Sequence, residues 1–120
     1  MDDKTKIQPK KEYTILKEPV NLKYGLGTMT NSAMFACACQ RYSAEFIEER
    51  DVLVSNVTRN PGNKVKGASP TSILAILNAH SGDLLEIQIE GTDDYAKAFA
   101  EKLKRGLNEE NYLYEQWKSR

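Results

Sequence analysis

Leu84-Leu85-Glu86-Ile87-Gln88-Ile89-Glu90 sets Leu85, Ile87 and Ile89 in alternation with Glu86, Gln88 and Glu90. A strand points successive side chains to opposite faces, so this stretch reads as a strand with one buried and one wet face. A sheet built from such strands is covered on one side only. Just downstream, Thr92 reads as the cap of a helix with Asp93 and Asp94 in its first turn and Lys102, Lys104 and Arg105 in its last. Both placements suit the helix macrodipole. Ala96, Phe99, Ala100, Leu103 and Leu107 form its core stripe, and Gly106 reads as its end.

Upstream, Pro70, Thr71 and Ser72 precede Ile73, Leu74, Ile76 and Leu77, which predicts a short helix capped by Ser72 or Thr71 and stopping before Gly82. Residues 51–58 alternate well enough for a strand, and the turn Asn60-Pro61-Gly62-Asn63 pairs it with residues 64–66 as a hairpin. From Ser32, the residues Met34, Phe35, Ala38, Cys39, Tyr42 and Phe46 recur at three- and four-residue steps. They predict a helix capped by Asn31 or Thr30 and running to about Glu49. A first strand is expected near residues 20–24. Residues 1–17 read as a mobile arm, 18–107 as the domain, and 108–120 as an extension whose Tyr112, Leu113, Tyr114 and Trp117 suit a further short helix. The order is β-α-β-β-α-β-α, an α+β open-faced β-sandwich with helices on one face of a mainly antiparallel four-stranded sheet.

Composition narrows the function. A chain of 120 residues with 17 basic and 17 acidic side chains has no overall field to attract nucleic acid. No apolar run approaches the roughly 18 residues of a membrane span, so a cytoplasmic location is the default. Cys37 and Cys39 are one residue apart, too close on a helix to face each other, and read as buried structural thiols. With His80 as the single histidine, no metal-ligand set and no cofactor are expected. Gly25-Leu26-Gly27 lacks the third glycine and parallel sheet of a dinucleotide fingerprint. Thr28, Thr30, Asn31 and Ser32 read as caps at a helix start, with anion binding as the alternative.

This element order, with Gly25-Leu26 before the first helix, Ser72-Ile73-Leu74 opening the second and Gly82-Asp83 to Gly91 before the third, resembles the HPr family of bacterial phosphocarrier proteins. The match covers about residues 19–106. In that family a loop of the pattern G-[LI]-H-A-R-P-A leads into the first helix, and its histidine accepts a phosphoryl group that the arginine helps to hold. Here the loop reads Gly25-Leu26-Gly27-Thr28-Met29-Thr30-Asn31. Gly27 takes the histidine position when the Gly-Leu pair is aligned, and Thr28 when the helix core is. Met29 or Thr30 takes that of the arginine, leaving no catalytic residue. The resemblance also implies that Ser72 matches a serine phosphorylated by a dedicated kinase in some bacteria. Likewise it implies that Ile73, Leu74 and Leu77 match the apolar patch through which the family docks its enzymes.

The expected function is therefore a regulatory or adaptor module, not an enzyme, that binds proteins such as phosphotransferase-system enzymes, a serine kinase or a transcription regulator. The alternative is a working phosphotransfer component, or a binder of a phosphorylated ligand, that uses Thr28, Thr30 or His80. His80 is set at the C-terminal end of the second helix, where an imidazolium gains from the dipole but no N–H groups converge on a phosphate. A homo-oligomer formed by exchange of the arm or the Trp117 tail is a third expectation, which the sequence leaves open.

Overall fold

A computed structural model describes residues 11–119. Its elements are β1 (Tyr13–Pro19), α1 (Met29–Ala44), β2 (Val52–Asn56), β3 (Val65–Lys66), a π-helical segment (Ser72–Leu77), β4 (Leu84–Glu90), α2 (Asp94–Asn108) and α3 (Tyr112–Lys118). The four strands form one sheet in the order β1-β4-β2-β3, and every pair is antiparallel. The expected α+β open-faced sandwich is the fold observed, and the strand at residues 84–90 has the bounds its alternation gives. Among the described residues no helix is long and apolar enough to cross a membrane.

The first strand is displaced from its expected place. β1 occupies residues 13–19 and pairs along its whole length with β4, from Tyr13 opposite Glu90 to Pro19 opposite Leu84. Residues 13–17 of the expected arm are thus part of the sheet, while residues 1–10 of that arm lie outside the described residues. An edge strand needs a neighbour on one side and a covered face only, so one inward Leu16 among polar residues suffices. Val20 and Leu22 are buried, but as loop residues that turn into the core past Pro19.

β4 is the central strand. Ile89 and Ile87 pair with Val52 and Val54 of β2, and these four residues and Leu85 are buried in the core. From α1, Phe35, Cys39 and Tyr42 enter this core, with the Tyr42 ring stacked on Phe99 of α2 at 4.5 Å. Cys39 is buried and its burial pushes the thiol pKa up, whereas Cys37 is half-buried, so only one of the two thiols is a core residue.

The helix ends differ from the expected ones, each for a local reason. Thr28 caps α1, its Oγ1 accepting from Asn31 N at 3.2 Å, so the helix starts earlier than Ser32. It ends at Ala44, and Phe46 folds back onto the Tyr42 ring. Asp93 caps α2 instead of Thr92, because its carboxylate accepts from Ala96 N at 3.1 Å. Gly106 does not stop α2. A Cβ there would sit 2.6 Å from Leu113, so the glycine makes room for the side chain that seats α3 on the core.

Candidate functional site

The loop before α1 is built by a close backbone approach. Gly25 has φ +62°, and a Cβ on it would lie 2.2 Å from Ala79 O and 2.9 Å from the His80 backbone. Leu26 N donates to Ala79 O at 2.8 Å and its side chain is buried, while Asn31 Nδ2 donates to Gly25 O at 2.7 Å. The loop is therefore clamped between the α1 N-terminus and residues 78–80.

On this frame Gly27 is exposed beside Asn78, and the Thr28 hydroxyl is taken up as the helix cap. Met29 is 79% exposed and Thr30 is exposed. Residues 25–30 carry no side-chain nitrogen and no ionisable group. Phosphoryl relay needs a nucleophile that forms a labile bond, and a threonine ester is too stable to hand the group on quickly.

His80 is not at a helix end. The π-helical segment stops at Leu77, and His80 lies three residues later, its backbone against Gly25. The structure thus brings His80 to the same end of the molecule as Thr28 and Thr30. Its N–H donates to Asp83 Oδ2 at 2.9 Å.

The segment after β3 departs further from expectation. Ser69 is the cap: its Oγ accepts from Ser72 N at 3.2 Å and its carbonyl from Ile73 N at 3.0 Å. Thr71 already has helical backbone angles and makes no capping bond, and Ser72 is a half-buried residue of the first turn. The segment closes with the five-residue step from Asn78 N to Ile73 O at 3.0 Å, with Asn78 in the left-handed region. Ile73 and Leu77, four apart, share the inward face and are buried. Leu74 is half-buried, and Ile76 is 52% exposed. Of the patch expected at Ile73, Leu74 and Leu77, two members are core. Ile76, which lies between them in sequence, is presented to solvent instead.

Sequence reasoning missed the carboxylate that ties this end together. Asp83 is buried, and its Oδ2 accepts from Asn56 Nδ2 at 3.0 Å, Arg59 Nε at 2.6 Å and His80 N at 2.9 Å. Burial pushes its pKa up, but the bonds from Asn56, the His80 N–H and Arg59 more than offset this, leaving it below the usual carboxylate value. Asn56, a polar residue at an inward strand position, was the available signal. At the other end, Arg50 Nη1 and Nη2 reach both Asp93 oxygens at 3.0 and 2.7 Å, and Nη1 also donates to the Tyr42 hydroxyl at 2.9 Å. Arg50 holds the Asp93 carboxyl down at about 2.

Among the described residues no group of three or more His, Cys, Asp or Glu side chains is placed to hold a metal ion. No model of a known protein family matches the chain. No curated protein matches its sequence. Among solved structures, the crystal structure of HPr-C-His from Thermoanaerobacter tengcongensis is similar at a TM-score of 0.55 and 20% identity, over 81% of this chain and 98% of that one. The likeness establishes an HPr-like fold.

Proposed function

We propose that this HPr-like domain docks proteins of the bacterial sugar phosphotransferase system without carrying a phosphoryl group, as a cytoplasmic regulator or adaptor and not an enzyme. The observation that carries the reading is the loop at residues 25–30: it has no nitrogen nucleophile, and its one well-placed hydroxyl, on Thr28, serves as the α1 cap. A frame kept this rigid without its chemistry is suited to recognition.

On this reading the docking face is Met29, Leu74 and Ile76, because Ile73 and Leu77 are committed to the core. Exposed apolar anchors of this kind supply about 1–3 kcal/mol each when a partner buries them. Ser72 remains the candidate for regulatory phosphorylation, which would add about −1.5 to −2 charges close to Ile76.

Competition tests the docking face. The chain, added to a reaction in which the system's first enzyme phosphorylates its normal carrier protein, is expected to slow that transfer. The double variant Met29→Glu/Ile76→Glu should need about tenfold more protein for the same inhibition, the equivalent of about 1.4 kcal/mol. Absence of inhibition at any concentration sinks the docking reading.

A second reading has one observation in its favour, the seating of His80 against Gly25. On it, His80 accepts the phosphoryl group in place of a loop histidine.

A further inference from the structure

α1 has sixteen residues, about 24 Å of helix, so the loop that follows it lies at the other end of this helix from Gly25 and Met29. This loop, residues 45–51, presents Ile47 with its side chain fully exposed. The support beneath it is rigid. Phe46 meets Tyr42 edge-on at 5.2 Å and Tyr95 at 5.8 Å, and the Arg50 guanidinium lies 3.7 Å from the centre of the Phe46 ring. Through Tyr42 and Asp93, the same arginine ties the loop to α1 and to the start of α2. An aliphatic side chain this exposed buries no area in the fold, so the free energy of its desolvation is left for another molecule to gain.

Along the loop, the exposed charged side chains next to Ile47 in sequence are acidic, while Arg41 and Lys102 border the hollow beside Glu45. Glu45, Glu48 and Glu49 are exposed and make no ion pair among the described residues. Arg50 is taken by Asp93, and Lys11 reaches only Asp51 and Glu90, at 3.6 and 3.7 Å. The surface is an apolar knob flanked by exposed acidic side chains of its own loop.

We infer that Ile47 with Glu45, Glu48 and Glu49 is a second docking surface, made for a protein partner that presents an apolar socket ringed by lysine or arginine. The flanking carboxylates select and orient such a partner, and desolvation of Ile47 supplies the central contact. The surface shares no residue with the face at Met29 and Ile76, so it stands whether or not the function proposed above holds.

A photo-crosslinking amino acid in place of Ile47 tests it in the full chain, in extract from the cells that make it. The exposed site leaves the fold intact, and the same probe at exposed Lys66 in β3 sets the background. The expected product joins position 47 to another protein, at a peptide whose apolar residue is flanked by two or more Lys or Arg. Its yield should fall by about tenfold or more in Glu45→Lys/Glu48→Lys/Glu49→Lys, the loss of about 1.4 kcal/mol or more. No adduct overturns the inference. So does one within the same chain, for instance to residues 1–10, one between two copies, or one that the charge reversal leaves unchanged.

Discussion

Gly25→Ala is expected to destabilise the domain by about 3 kcal/mol or more, a large share of the roughly 5–15 kcal/mol that holds a domain together. Two effects add. A non-glycine residue in the left-handed region costs about 1–2 kcal/mol, and Gly25 sits there with φ +62°. The new Cβ would also fall 2.2 Å from Ala79 O, a backbone atom with no rotamer to escape into. Forced overpacking of this sort costs about 1–3 kcal/mol. Gly62→Ala separates the two effects, because Gly62 has φ +88° but nothing within 4 Å of its Cβ position. It should lose only about 1 kcal/mol. Urea unfolding of both variants decides the point, and equal midpoints would show that the loop does not press on residues 79–80.

Asp83→Asn is expected to cost about 3 kcal/mol at neutral pH, since it breaks a buried charged cluster from one side. Asn56 Nδ2 and the His80 N–H lose an ionised acceptor, and Arg59 loses its partner. The sign of the pH dependence follows from the depressed pKa. A carboxyl held lower when folded contributes its stability above the unfolded value of about 3.9 and loses it as pH falls through the folded value. Wild type should therefore lose stability more steeply than Asp83→Asn in acid, and the gap between them should close below about pH 4. Denaturant midpoints of the two proteins across that range check this; a gap that stays constant to pH 2 would mean that the carboxylate's charge contributes nothing.

The same residues show what could be read in advance. The alternation from Leu84 to Glu90 placed the central strand because both of its faces have a consistent environment along seven residues. β1 was hidden because it lies at the sheet edge, where polar Lys17 and Glu18 are as acceptable as apolar residues. Val20 and Leu22, spaced like strand residues, are held instead by tertiary burial of a loop. The second helical segment was recognisable by its apolar content, but its inward face was not. Ile73 and Leu77 face inward and Ile76 outward in a segment that closes on a five-residue step, and apolar content alone does not choose among these faces. At the candidate site, the missing nitrogen nucleophile was plain from residues 25–30, whereas the seating of His80 beside Gly25 is a contact between residues 55 positions apart, which no local pattern encodes.

Two faces at opposite ends of α1 give the proposed adaptor a physical form. Met29 opens α1 beside the clamped loop at one end, and Ile47 stands on the Arg50-pinned loop at the other. The central claim is that the first end docks and does not react. Intact-mass measurement after incubation with the system's first enzyme and phosphoenolpyruvate tests it most directly, with the normal carrier protein in the same tube as a positive control. The expected result is a fully phosphorylated carrier beside an unmodified chain. An acid-labile phosphoryl adduct on the chain, lost in His80→Ala, would contradict the claim and establish His80 as the acceptor.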